Sequence, residues 1–191
     1  MSAAYCLAAP GNALHGPYHD TEYGFPSRNE AVLFERLVLE INQAGLSWAT
    51  MLRKRDAFRA AFAGYAVDRV AAFGPADFDR LMADAGIVRN RLKIAAVIDN
   101  AKRIQELRGT HGSFAAWLDA HHPRPLVDWV KLFRQTFRFT GGEIVNEFLM
   151  SLGYLPGAHD KTCPVYAAIE ELSPPWLVVS AGNRDQPSQP N

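Results

Sequence analysis

The sequence predicts an all-α fold from three features. Apolar residues recur at three- and four-residue intervals, the segments they define open on capping residues and close on glycine or proline, and strand-like alternation is scarce throughout. Ser27-Arg-Asn-Glu30 has the form of a capping box and opens a helix carrying Phe34, Leu37, Val38 and Ile41, which stops near Gly45. Ser47 then caps a second helix with Met51, Leu52, Phe58 and Phe62, and Gly64 lies past its end. Short helices follow over 67–73 and, after Gly74-Pro75, over 76–84, the latter closed by Gly86. A longer one from about residue 89 to residue 107 buries Ile94, Val97, Ile98, Ala101 and Ile104 and leaves its basic residues on other faces. Ser113 caps 114–122, Pro123 and Pro125 break the chain, and two last helices over 127–137 and 142–153 flank Phe137-Arg-Phe-Thr-Gly-Gly142.

A chain of 191 residues at 48% hydrophobic content can bury one core, so a single domain over 1–178 is expected, with a polar, disordered tail at 179–191. No window approaches the roughly 18 apolar residues of a membrane span, and the N-terminus lacks a basic segment followed by an apolar one, which points to a cytoplasmic protein with no membrane partner. Twenty basic and 20 acidic residues give no net charge, which argues against bulk coating of nucleic acid. Basic residues nevertheless cluster at Arg53-Lys54-Arg55, around Arg89, Arg91 and Lys93, at Lys102-Arg103, and around Lys131, Arg134 and Arg138; most such clusters are solvated helix faces.

Three features carry chemistry. Cys6 and Cys163, the two cysteines, each have a histidine companion, His19 and His159, and two such halves can complete a tetrahedral zinc shell; a disulfide or free thiols are the other readings of two cysteines. Glu40 falls beside Leu33 on a helical wheel, at the edge of the apolar arc, so it is paired with a cation, exposed by local geometry, or pointed into a pocket. The loop after it ends in Trp48, and Tyr18 precedes His19. An acid with aromatic faces nearby suits the reading of an extruded nucleobase, although each aromatic alone is more often core. Finally, the glycine turn before residue 143 can present backbone N–H groups to a phosphate, or can be an ordinary connection between helices.

Taken together, these residues resemble a known family. Cys6, Tyr18-His19-Asp20-x-Glu22 to Gly24, Leu39-Glu40-x-x-Gln43-Ala44-Gly45-Leu46-Ser47-Trp48, Asp84-Ala85-Gly86-Ile87-x-Arg89-x-x-x-Lys93-Ile94, Phe139-x-Gly141 and His159-x-x-x-Cys163 follow in order the pattern of the bacterial 3-methyladenine DNA glycosylase I family. The resemblance runs from about residue 6 to residue 165. It implies a helix-hairpin-helix DNA glycosylase domain in which structural zinc on Cys6, His19, His159 and Cys163 joins the termini. It further implies that Glu40 is the catalytic carboxylate of the base pocket, accepting a hydrogen bond from the base, with Tyr18, Tyr23 and Trp48 as base-binding aromatics. Gly45, Leu46, Ser47, Arg138, Gly141 and Gly142 are then the DNA-binding positions. The implied substrate is double-stranded DNA carrying alkylated bases, attacked by a monomer. Family members lack the aspartate that related glycosylases use to assist water, and neither Glu143 nor Glu147 is given that role here. Ala8 and Tyr23 stand where the family carries tryptophan, which bears on the choice of lesion. The alternative is a zinc-stabilised paralogue that binds DNA, or a different alkylated base, without excising 3-methyladenine.

Overall fold

Side-chain caps start the principal helices. Asn29 accepts hydrogen bonds from the backbone of Ala31 at 3.0 Å and Val32 at 3.3 Å, Ser47 from Thr50 at 3.2 Å, and Ser113 from Ala116 at 3.0 Å. The first corrects the sequence reading: Ser27 lies three residues before the helix, and Asn29 takes the capping position. In the computed structural model, which describes residues 3–177, the regular structure is eleven α-helices and one 3-10 turn, with no strand among the described residues. The tail expected at 179–191 lies outside them.

The chain forms two compact units. One comprises, among the described residues, 3–26 and 149–177, and contains α1 (Ala3–Ala8), α2 (Gly16–Thr21) and α11 (Pro164–Glu171). The other, 27–148, contains α3 (Glu30–Gln43), α4 (Trp48–Ala61), α5 (Val67–Ala71), α6 (Pro75–Ala83), α7 (Arg91–His111), α8 (Phe114–His121), α9 (Leu126–Thr136) and most of α10 (Gly142–Ser151).

In the larger unit α7 packs against α3, α5, α6 and α8, and its predicted core residues Ile94, Val97, Ile98, Ala101 and Ile104 are all buried. Phe114 and Trp117 of α8, Trp129 and Phe133 of α9, Phe137 and Phe148 form one aromatic cluster with ring centroids 5.3–6.4 Å apart. Burial on α3 is wider than an amphipathic stripe, since every residue from Leu33 to Asn42 is buried. Its polar side chains therefore need internal partners.

The helices of the smaller unit are six, six and eight residues long, too short to persist on their own, so tertiary contacts must hold them. Gly24 is one such contact. Its backbone N–H donates to the Ser151 carbonyl at 2.9 Å with φ at +87°, and a Cβ there would lie 2.8 Å from Ile169 Cδ1 and 2.9 Å from Ala158 Cβ. No helix among the described residues is long and apolar enough to cross a membrane.

Candidate functional site

Cys6 on α1, His19 on α2, His159 and Cys163 converge within the smaller unit, each offering a ligand atom within 4.8 Å of the others. His159 Nδ1 is 3.7 Å from both sulfurs, and His19 Nε2 is 3.8 Å from Cys163 Sγ. Zinc–sulfur and zinc–nitrogen bonds of ordinary length at a tetrahedral angle separate sulfur from nitrogen by about 3.6 Å. The residues present therefore fit one metal ion.

The surrounding hydrogen bonds select the tautomers such an ion needs. His19 Nδ1 meets Asp20 Oδ1 at 2.6 Å, leaving Nε2 for the metal, and His159 Nε2 donates to the Tyr23 carbonyl at 2.7 Å, leaving Nδ1. The Asp160 N–H donates to Cys6 Sγ at 3.4 Å. Both cysteines are free thiols, and burial raises the Cys6 pKa while it lowers that of His159. A bound cation would favour the thiolate form of the cysteines.

On α3, two buried glutamates have opposite surroundings. Glu35, 1% exposed, receives Arg55 Nε at 2.7 Å and Arg59 Nη2 at 2.5 Å. Glu40, 2% exposed, has no ion pair among the described residues, and its Oε1 has no hydrogen-bond partner among them. Of the three readings left open for Glu40, cation pairing and exposure both fail, and a buried acid remains. Burial, with a smaller contribution from the Glu147 charge and against the opposing effect of Arg36, pushes its pKa up to about 8, so the carboxyl is neutral at pH 7.

The loop after α3 carries Gly45 at φ +82°, a half-exposed Leu46 and the helix cap Ser47, and Trp48 is the buried first residue of α4. In the smaller unit Tyr18 and Tyr23 are buried, with ring centroids 5.7 Å apart. Between α9 and α10, Phe139 adopts φ +59° and exposes its ring, while Arg138 lies 3.7 Å from Asp99 in a largely exposed ion pair. A Cβ at Gly141 or Gly142 would meet nothing within 4 Å, and neither residue has a left-handed φ. Folding of the chain does not itself demand glycine at either position.

Two residues to which the sequence reading gave no role stand out on α7. Lys93 and Asn100 are buried; Lys93 bonds to the carbonyls of Asn42 and Ala44, and Asn100 to the backbone of Arg138. The signal for Asn100 was a polar residue three positions after Val97, inside the apolar stripe of the helix. Most residues of the basic clusters are exposed, as expected of solvated faces, but not all: Lys54 donates to the carbonyls of Ala85 and Gly86, Arg55 pairs with Glu35, and Lys93 serves internal acceptors.

An unpaired acid within the fully buried 33–42 stretch of α3 is a costly feature for a protein to keep, and the chain's relatives give it a context. The methyladenine glycosylase family model matches residues 8–131, and the chain belongs to this family. Among particular relatives, the DNA-3-methyladenine glycosylase 1 of Escherichia coli is 33% identical over 172 residues, covering 80% of this chain and 91% of the relative. The DNA-3-methyladenine glycosylase of Haemophilus influenzae is also 33% identical over 172 residues, covering 80% and 92%. The solved 3-methyladenine DNA glycosylase I of Staphylococcus aureus superposes with a TM-score of 0.74 at 28% identity, covering 86% of this chain and 97% of that one. A single-residue variant of a 3-methyladenine DNA glycosylase I, solved in complex with 3-methyladenine, superposes with a TM-score of 0.73 at 28% identity, covering 84% and 96%.

Proposed function

We propose that this chain is a monofunctional DNA glycosylase that hydrolyses the N-glycosidic bond of 3-methyladenine flipped out of alkylated double-stranded DNA. The observation that carries the reading is Glu40: a carboxyl buried without a cation and with one oxygen unsatisfied, in a member of the methyladenine glycosylase family. A neutral acid in a closed site is poised to receive a cation. The methylated adenine in DNA carries a positive charge, and its arrival favours Glu40 as carboxylate, with the proton released to solvent. The carboxylate then accepts a hydrogen bond from the exocyclic amine, and the mutual attraction selects the methylated base over neutral adenine.

The positive charge also makes the base a good leaving group. The bond from the sugar C1′ to the base breaks with its electron pair going to the purine, which leaves neutral. Water adds to C1′ and gives up a proton. The adduct stacks and pairs poorly, so extruding it costs less than extruding a normal base. On the resemblance, Tyr18, Tyr23 and Trp48 are base-binding aromatics, the Gly45-Leu46-Ser47 loop contacts the opened duplex, and Arg138, Gly141 and Gly142 hold the DNA backbone. Glycines with no intramolecular need for glycine fit a phosphate approaching the N-terminus of α10. Residues 1–178 would act as one glycosylase domain, as a monomer in the cytoplasm.

The metal is proposed to be zinc, held by Cys6, His19, His159 and Cys163 in a structural role. Bound there it would fasten the N-terminal helices to the segment before α11 and supply no chemistry to base release.

The test is to incubate the metal-loaded protein with DNA treated with a simple methylating agent and to identify the released bases by chromatography. Release of 3-methyladenine, lost or no longer selective in Glu40→Gln, is expected. A folded protein that binds such DNA and releases nothing would instead favour the non-excising paralogue, and would direct attention to Ala8 and Tyr23.

A further inference from the structure

Lys93 and Asn100 are seven residues apart on α7, so their side chains leave the same face of the helix. Lys93 is 5% exposed, and its Nζ donates to the carbonyls of Asn42 at 2.9 Å and Ala44 at 2.6 Å. It thereby caps the C-terminal end of α3, where a cation meets the negative end of the helix dipole. The same Nζ sits 5.7 Å from the centroid of the Phe139 ring, within cation–π range. Asn100, 1% exposed, donates from Nδ2 to the Arg138 carbonyl at 3.1 Å and accepts at Oδ1 from the Arg138 N–H at 2.7 Å, engaging both backbone groups of one hairpin residue.

One face of one helix thus reaches two segments far apart in sequence, the loop at 44–47 and the turn at 137–141. A buried lysine with no acid partner among the described residues is an expensive way to fill space, and an apolar residue would pack there at lower cost. Its three donors, by contrast, suit a junction of carbonyls and an aromatic face. Neither segment is a regular element, so neither carries its own ladder of hydrogen bonds to fix its position.

We propose that Lys93 is a positioning residue: acting through the Ala44 carbonyl and the Phe139 ring, it holds the 44–47 loop and the hairpin in fixed register so that both engage duplex DNA together. Asn100 clamps the hairpin end of the same strut. The proposal rests on the glycosylase reading above, which makes these the DNA-contacting segments. Opening a duplex requires both segments at once, whereas a single strand needs no opening.

The test compares methylated duplex with methylated single strand, measuring base release and binding on each for the metal-loaded protein and its variants. Lys93→Met is expected to lower the duplex-to-single-strand ratio by about tenfold, in line with the loss of charge-assisted hydrogen bonds. Phe139→Ala alters an exposed ring and is expected to leave the fold intact while shifting the ratio in the same direction. In the double variant the Phe139 effect should vanish, because the ring no longer has a cation to hold.

An equal loss on both substrates would show Lys93 to be merely structural and overturn the proposal, as would independent effects of the two substitutions. Should Lys93→Met fail to fold, Phe139→Ala decides alone, and an unchanged ratio refutes the strut. If the unsubstituted protein releases no base from either substrate, the glycosylase reading fails on that observation, and the binding ratios still test Lys93.

Discussion

Replacing Glu40 by glutamine should stabilise the protein, and by an amount that grows with pH. The carboxyl titrates near 4.5 when unfolded and near 8 when folded, so the native state binds the extra proton between those values. The contribution of this group to stability is therefore greatest below pH 4.5, falls as pH rises, and levels off above pH 8. At about 1.4 kcal/mol per pH unit, the acid costs about 1 kcal/mol at pH 5, about 3 kcal/mol at pH 7, and approaches about 5 kcal/mol above pH 8. Glutamine has the same shape and no titration. The stability difference between Glu40→Gln and the unsubstituted protein should thus widen by about 3 kcal/mol from pH 5 to pH 8. With a slope of about 2 kcal/mol per molar urea, that is a relative midpoint shift of about 1.5 M. Urea unfolding of both proteins at the two pH values measures it directly. A difference that stays constant with pH would mean that Glu40 is ionised in the native state, and the account of a neutral acid awaiting a cationic base would fall with it.

Glu35→Gln should act with the opposite sign, destabilising by about 2 kcal/mol at neutral pH because it strips Arg55 and Arg59 of their shared partner, a cost moderated by the exposure of Arg59; the same urea experiment reads it. Cys163→Ser should abolish stoichiometric metal, measured by elemental analysis of purified protein, and lower the melting temperature, because metal binding energy is partly folding energy. Asp20→Asn should keep the fold but weaken metal affinity by about 10- to 100-fold in a chelator competition, since the carboxylate on His19 Nδ1 fixes the ring for its ligand nitrogen. Gly24→Ala should destabilise by about 1–3 kcal/mol and reduce metal occupancy, from a left-handed φ and from a methyl group forced against Ile169 and Ala158 beside His159.

What could be read without the structure was local. Ser47 and Ser113 announce their helices because a cap is a contact within three residues, and the stripe from Ile94 to Ile104 announces α7 because its period repeats over about three turns. Even here a neighbour misled: Ser27 and Glu30 have the spacing of a capping box, but Asn29, one residue before the helix, takes the backbone N–H groups. The six-residue helices α1 and α2 left no periodic signal, being shorter than two turns, and the eight-residue α11 went equally unread. Cys6 with His19 and His159 with Cys163 were two visible half-sites, and the family pattern favoured zinc over a disulfide or free thiols. That the four ligand atoms meet is a fact of packing between segments some 140 residues apart, which no spacing rule reaches.

The chemical identity of the acid at position 40 and its place at the edge of an apolar arc were determined by the sequence alone. Its state was decided by tertiary structure. Helical periodicity tells which face of α3 meets its first neighbour, but desolvation depends on everything that covers the remaining faces, and those come from helices far along the chain. Once the 33–42 stretch of α3 is enclosed, Glu35 and Glu40 part company: one is hydrogen-bonded by two arginines from α4, the other is bonded by none and becomes a neutral acid. The same reason hid Lys93 and Asn100, whose partners are backbone carbonyls and an N–H that every residue type supplies and no sequence pattern marks.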